Sequence, residues 1–310
     1  GSWTPLREAA AAARDLLLRA GAKALDTTID RIELRDSHAI DRASGRKLGY
    51  IGLAPLVLEQ HSGLRRTPKR RADYRLIGKP APAPELRTMV TGEARYASDL
   101  RLPDMLYAVI ARPPSIGAEL DSYDAGAALA MHGVIKVMTV SPQAPPVGVR
   151  GGVAVIARSA WVAMQARAAL EMHWREPQTA LSSAGLREQM RATLARPGDE
   201  VVAAIGDPDA LLQESSGLVE AEYELPLLAH VTMEPMTCTA HVSGGRCRVW
   251  APTQAPDQLP QEISRFLGIE QSAVELVVTR FGGGLGRRVN RDFVFEAVAL
   301  AQQLEQPVQV

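Results

Sequence analysis

Cysteine is nearly absent from this 310-residue sequence, which has only Cys238 and Cys247. A usual iron–sulfur cluster needs four thiolates and a zinc ribbon needs paired spacing, so any iron–sulfur centre must sit on another chain. Aromatic residues make up 5%. No apolar run approaches the roughly 18 residues that a spanning helix requires. The opening Gly1-Ser2-Trp3-Thr4-Pro5 has no basic start leading into an apolar stretch, so no export signal is read there. Net charge is lacking too, with 35 Lys plus Arg against 35 Asp plus Glu. Arg65-Arg66 and Lys69-Arg70-Arg71 cluster locally, but no long basic face or interleaved aromatic series accompanies them, and nucleic acid is not an expected partner. What remains is an ordinary globular composition, 46% hydrophobic and 23% charged, sufficient for two or three domains.

Periodicity supplies the elements. Leu6, Ala10, Ala13, Leu17 and Ala20 recur at helical spacing, which predicts a helix over residues 5 to 20 with Thr4 as N-cap and Pro5 at the first helical position. Arg31 to Arg35 reads as a strand, Ser44 to Leu48 as a turn and Tyr50 to Glu59 as a helix. Residues 61 to 91, rich in Arg, Lys and Pro, read as an extended linker laid over a surface. Strands are expected at Met105 to Ala111, Gly133 to Thr139 and Val153 to Ala157. Helices are expected at Ala125 to Ala130 and, capped by Ser159, at Ala160 to Leu170. Pro177 to Asp199 reads as helix and loop. Alternation from Val219 onward predicts a strand over Leu218 to Glu224 with one face buried. A hairpin, Cys238 to Val242 and Cys247 to Ala251, turns at Ser243-Gly244-Gly245-Arg246. Counting outward from that turn does not set the cysteines opposite each other, so two buried free thiols are expected. A helix from about Gln258 to Leu267, a strand Val274 to Thr279 and a helix Phe293 to Leu304 complete an α+β reading without tandem repeats.

Several words then occur in one order. Gly92-Glu93-Ala94-Arg95-Tyr96, Asp99, Leu102-Pro103, Met105-Leu106-Tyr107, Ala111-Arg112-Pro113-Pro114, Ser122-Tyr123-Asp124 and Met131-His132-Gly133-Val134 resemble the hammerhead domain of the xanthine dehydrogenase and aldehyde oxidase family. Leu228 to Ala240, which includes His230-Val231-Thr232-Met233-Glu234-Pro235, and Val249-Trp250-Ala251-Pro252-Thr253-Gln254 are similar to its isoquinoline 1-oxidoreductase and membrane-bound aldehyde dehydrogenase branch. Trp3 to Glu8 resembles an internal stretch of that branch. The resemblance implies a hammerhead domain, residues 92–178, flanked by portions of molybdopterin-binding α/β domains. These would be a partial unit at 1–60, the linker 61–91 and the first part of the main domain at 179–310.

It also implies a molybdenum–pterin cofactor, in its cytosine dinucleotide form, held with no direct protein ligand to the metal. The protein's tools are then hydrogen bonds. In the family a glutamine ending a Thr-Gln word contacts an oxo group, and a glycine-rich loop about thirty positions later supplies backbone groups. Gln254 and Phe281-Gly282-Gly283-Gly284-Leu285-Gly286-Arg287-Arg288 resemble these motifs. The chemistry agrees: an amide donates where a carboxylate only accepts, and glycines let backbone N–H groups approach closely. Taken singly, a glycine-rich loop is as often a tight turn, and Gln254 would be an ordinary solvated side chain. Arg287 and Arg288 are either phosphate or carboxylate clamps or plain surface arginines. Glu234 is either a buried hydrogen-bonding anchor or an extended residue before proline, and His230 is more often a packed histidine.

Two positions depart from the family. Leu285 stands where phenylalanine is common, and Val289 where xanthine-oxidising members carry a glutamate, so an apolar heterocycle or an aldehyde fits better than a purine. The glutamate base of the family's reaction is expected outside this chain, which should then be inactive alone. Expected partners are a small 2Fe-2S subunit, the remaining C-terminal part of the large subunit and a cytochrome c subunit. Relatives with export signals favour the periplasm. The competing reading is a non-catalytic assembly module that retains the fold. A nucleotide loop is disfavoured, since no Walker lysine and no dinucleotide-type glycine pattern occurs.

Overall fold

The structure, a computed structural model, describes residues 1–58, 64, 67–143, 148–177 and 181–310. They divide into two compact units, residues 1–87 and 88–310.

In the first unit α1 (Trp3–Ala24) packs on a three-stranded antiparallel sheet of β1 (Ile32–Arg35), β2 (His38–Asp41) and β3 (Lys47–Gly49), followed by α2 (Tyr50–Leu58). Ala20, Ala22, Leu25, Ile32, Ala39 and Leu53 form the core. Small residues let α1 approach closely: a Cβ on Gly21 would stand 2.8 Å from the Ala39 Cβ. The expected Thr4 cap is corrected. The helix starts at Trp3 after Ser2, without a side-chain cap, because Pro5 is equally tolerated a little further inside the first turn, where N–H groups have no helical partner. Part of the proline-rich stretch lies along α1, where Arg14 donates to the Thr67 carbonyl at 3.3 Å and Arg7 to that of Lys69 at 2.8 Å. Glu59, Arg65 and Arg66 lie outside the described residues.

The short α3 (Leu86–Val90) leads into the second unit, whose strands include β4 (Leu106–Ala111) and β5 (Glu119–Asp124). Next come α4 (Gly126–Leu129), β6 (Val134–Val140), β7 (Gly152–Ala157), α5 (Ala160–Ala168) and β8 (Glu171–Arg175). Ser159 caps α5 as expected, accepting from the Val162 N–H. Then follow α6 (Ser183–Leu194), α7 (Pro208–Glu214), β9 (Thr239–Ser243), β10 (Arg246–Ala251), α8 (Leu259–Leu267), β11 (Val274–Val278), α9 (Asp292–Leu304) and β12 (Val308–Gln309). β5 and β8 form their own antiparallel ribbon. The other seven strands form one sheet in the order β11-β10-β9-β12-β4-β7-β6.

The centre of that sheet is its shortest strand. β12 pairs antiparallel with β9 and parallel with β4, so the hairpin half and the β4–β7–β6 half become continuous only through Val308 and Gln309. Against the sheet lies α9, with Phe293, Val294, Phe295, Ala297, Val298, Leu300 and Ala301 buried and Phe295 edge-on to Phe266 at 5.2 Å. Cys238 and Cys247 are buried, free and out of register with one another, since Cys247 faces Val242. Burial pushes the Cys247 thiol to about 12 and the Cys238 thiol well above its ordinary value.

One expected strand does not form. Leu218 to Glu224 pairs with no strand among the described residues, and both faces of its alternation are exposed. Glu222 and Glu224 instead bond Arg191 and Arg187 of α6. Alternation makes a strand only beside a neighbour whose backbone groups it can satisfy.

Candidate functional site

β10 and β11 are parallel neighbours, with Ala251 in register with Val278, and α8 is the crossover between them. Their C-terminal ends therefore emerge side by side. Gln254 follows one and the loop 281–288 follows the other, so residues about thirty apart in sequence meet at the end of a parallel strand pair, the usual position for ligands in such sheets. Gln254 N–H donates to the Arg288 carbonyl at 3.1 Å, the Thr253 hydroxyl donates to the same carbonyl at 3.3 Å, and Thr279 N–H donates to the Ala251 carbonyl at 3.1 Å.

The loop explains its glycines. A Cβ on Gly284 would lie 2.5 Å from Gln254 Oε1 and 2.8 Å from its Cδ, so the amide rests directly on the glycine backbone. A Cβ on Gly282 would lie 2.8 Å from the Glu234 Cβ. Leu285, at the tip, holds a left-handed φ of 50° and is 74% exposed. Arg287 N–H closes the turn onto the Gly284 carbonyl at 2.8 Å, and Val289 N–H reaches the Gly286 carbonyl at 3.2 Å.

The two arginines separate sharply. Arg287 makes two bonds to Asp292 at the start of α9, 2.8 and 2.6 Å, and remains partly exposed; that carboxylate raises its pKa. Arg288 is fully buried, and desolvation lowers its pKa. Its Nε donates to the Gly283 carbonyl at 2.7 Å, and its Nη2 to the Glu234 carbonyl at 2.9 Å and Glu234 Oε2 at 3.2 Å. Its Nη1 is buried with no partner among the described residues, and the guanidinium lies 5.6 Å from the Phe281 ring centroid. Arg288 thus turns its bonded donors inward, onto the Gly283 carbonyl and Glu234. Glu234 is the anchor of the two sequence alternatives, 8% exposed, with Oε1 accepting from Ser98 N–H at 3.1 Å and Oε2 from Gly282 N–H at 2.9 Å.

Outside this cluster Arg112, just after β4, makes a two-point contact with Glu296, one turn beyond Asp292 on α9. Burial raises the Glu296 pKa despite Arg112. Sequence reasoning did not single out Glu296; the signal available was a carboxylate inside the apolar run of α9. A cavity of about 800 Å³ opens elsewhere, between residues 113–120, 139–143 and 148–152, and no residue of the loop 281–288 lines it.

The donor set fits an oxygen-rich group such as an oxo-metal pterin phosphate. The Gln254 amide is exposed and makes no side-chain hydrogen bond among the described residues. The N–H groups of Gly283, Gly284, Leu285 and Gly286 likewise donate to no described acceptor. No cluster of three or more His, Cys, Asp or Glu able to ligate a metal directly occurs among the described residues.

Comparison with known proteins agrees. Residues 194–310 match the family model described as the molybdopterin cofactor-binding domain. The whole chain aligns with a nicotinate dehydrogenase component of Pseudomonas putida, 27% identical and covering 26% of that protein. It also aligns with the beta component of isoquinoline 1-oxidoreductase of Brevundimonas diminuta, 26% identical and covering 44%. Three-quarters of the chain superposes on 34% of the matched chain in the crystal structure of quinoline 2-oxidoreductase from Pseudomonas putida 86, with a TM-score of 0.55 at 23% identity, which establishes the shared fold. The chain spans from about a quarter to under half the length of these curated relatives.

Proposed function

From the premise that this chain is homologous to the molybdenum hydroxylases, we propose that it forms part of the large subunit of such an enzyme, one that oxidises an N-heteroaromatic compound or an aldehyde with oxygen from water. The observation that carries the reading is the Gln254 amide seated on Gly284, beside four consecutive N–H groups without described acceptors. When bound, a molybdenum–pterin group would supply the oxygen-transfer and electron-transfer chemistry. The chain's part is to hold and orient it: Gln254 would donate to an oxo oxygen and the N–H groups of residues 283–286 to further oxygens, while Arg287, its charge matched by Asp292, stiffens the edge of the loop.

Leu285 and Val289, both substantially exposed at the loop, offer apolar contact where a charged substrate clamp would need a carboxylate or amide. This supports an apolar heteroaromatic ring or an aldehyde over a purine, and the relatives named for nicotinate and isoquinoline put the heteroaromatic ring first. Gln254 and the loop tip lie open on this chain's surface, which supports a site completed by the remainder of the large subunit, the source of the glutamate base. Alone, the chain is inactive on this reading. The cofactor is the cytosine dinucleotide form, electrons leave to a 2Fe-2S small subunit and on to a cytochrome c subunit, and the assembly works in the periplasm.

The test is metal and pterin analysis of the complex purified with the products of neighbouring genes. Stoichiometric molybdenum and pterin, both lost on Gln254→Ala, is the expected result. A stable complex devoid of both sinks the reading.

A further inference from the structure

We propose that Glu234 is the positioning residue of the glycine loop: held in place by Arg288, its carboxylate withdraws the Gly282 N–H from the donor set and fixes the four N–H groups that follow. The inference rests on the loop being a cofactor seat and concerns which of its groups do the seating.

Three segments distant in sequence meet at this one carboxylate. Oε1 accepts from Ser98 N–H at 3.1 Å, while Oε2 accepts from Gly282 N–H at 2.9 Å and from Arg288 Nη2 at 3.2 Å. The backbone of the same residue completes the grip. Glu234 N–H donates to the Gly282 carbonyl at 3.1 Å, and the Glu234 carbonyl accepts from Arg288 Nη2 at 2.9 Å and from the Thr232 hydroxyl at 2.8 Å. An ionised carboxylate is acceptor-only, with lone pairs enough for three donors, and the Arg288 guanidinium, in contact through Nη2, compensates its charge where water is excluded.

The consequence is geometric. Gly282 is bound at both its N–H and its carbonyl, so it cannot turn either toward a ligand. Arg288, five residues beyond Gly283, holds the Gly283 carbonyl through its Nε at 2.7 Å, which leaves Gly283 only its N–H to offer outward. Between these clamps the N–H groups of Gly283, Gly284, Leu285 and Gly286 have no described acceptor, and Gln254 rests on the middle of that strip. Glu234 touches none of the outward donors; it decides where they point.

Glu234→Gln separates this role from plain stability. A glutamine has one acceptor oxygen, so its NH2 must face an N–H donor on one side, and it leaves the buried Arg288 charge uncompensated. Glu234→Gln/Arg288→Met removes that buried charge as well. Three readouts apply to the purified assembly: thermal midpoint, peptide-resolved hydrogen exchange, and molybdenum and pterin content. The single variant should lower the midpoint, speed exchange at Ser98 and Gly282, the two amides that Glu234 accepts, by about tenfold or more, and lose most of its cofactor. The double variant should regain much of the midpoint while exchange stays fast and cofactor stays low. If the double variant returns loop exchange and cofactor content to parental levels, the pair is structural only and the proposal falls.

Should Glu234→Gln not fold, Arg288→Lys takes its place, since it keeps the charge and surrenders the Nε bond to the Gly283 carbonyl. Faster exchange at Gly282 and Glu234, whose N–H groups are bonded in the parent, at a near-parental midpoint supports the proposal, and unchanged exchange overturns it. A parental assembly without molybdenum or pterin would refute the functional reading instead, while the exchange measurements would still decide the role of Glu234.

Discussion

Residues 201–233 and 239–309 fall within the same matched cofactor-binding domain, and both carry alternating apolar and polar side chains, yet they meet opposite fates. Val219, Tyr223 and Leu225 are 92%, 87% and 89% exposed, whereas Val249 and Ala251 are completely buried. The hairpin strand β10 has β9 on one side, β11 on the other and α9 across its face. The stretch around Tyr223 pairs with no strand among the described residues, and the arginines of α6 hold its glutamates at the surface. Alternation therefore permits a strand, and a neighbour with unsatisfied backbone groups makes it one.

Breaking the packed region should cost most. Arg288→Ala leaves Glu234 buried without its counter-charge and should reduce unfolding free energy by about 3–5 kcal/mol in urea titrations. Phe295→Ala, which empties a fully buried ring site beside Phe266, should cost a similar amount, about 3–5 kcal/mol. A loss near zero for either would mean the second region is no better packed than the first.

A smaller, pH-dependent effect belongs to Glu296. Its folded pKa lies above the ordinary 4.5, chiefly through burial, so its contribution to stability is complete below 4.5 and declines as pH rises through the folded value. Glu296→Gln lacks that decline. Its melting temperature relative to the parent should rise from pH 4 toward neutrality, with Arg112, 42% exposed, free to turn to water. A flat difference across that window would show that Arg112 fully offsets the burial.

At the small end, Tyr223→Ser should change unfolding free energy by no more than about 0.5 kcal/mol, because the exposed stretch buries little. The thiols sharpen the same contrast without mutation. Cys238 and Cys247 should resist alkylation at pH 8 in the native protein and both react in denaturant.

Much of the candidate site's geometry was legible in sequence because it is local chemistry at strand ends. The Gly244-Gly245 turn fixed the hairpin, with both glycines at positive φ, and Gly268, left-handed at the end of α8, set the crossover that brings Gln254 to the loop. The division of labour between Arg287 and Arg288 was not legible. Neighbouring arginines carry identical local signals, and only the folded chain places Asp292 beside one and Glu234 around the other. Nor was β12: two residues carry no periodicity, and their strand character comes wholly from the partners on either side. The ribbon β5–β8 was missed for a related reason, since its side chains are mostly exposed and its pattern has no buried face to reveal it.

That two-residue strand also sets a timetable. Val308 pairs with Leu106 and Ala240, so the sheet closes only after a loop of about two hundred residues has been brought together, and topologies dominated by such distant contacts fold slowly. During synthesis β4 and β9 must wait with one edge each unsatisfied, and exposed strand edges recruit other chains. The two halves of the sheet thus stay unjoined until Val308 and Gln309 have been synthesised.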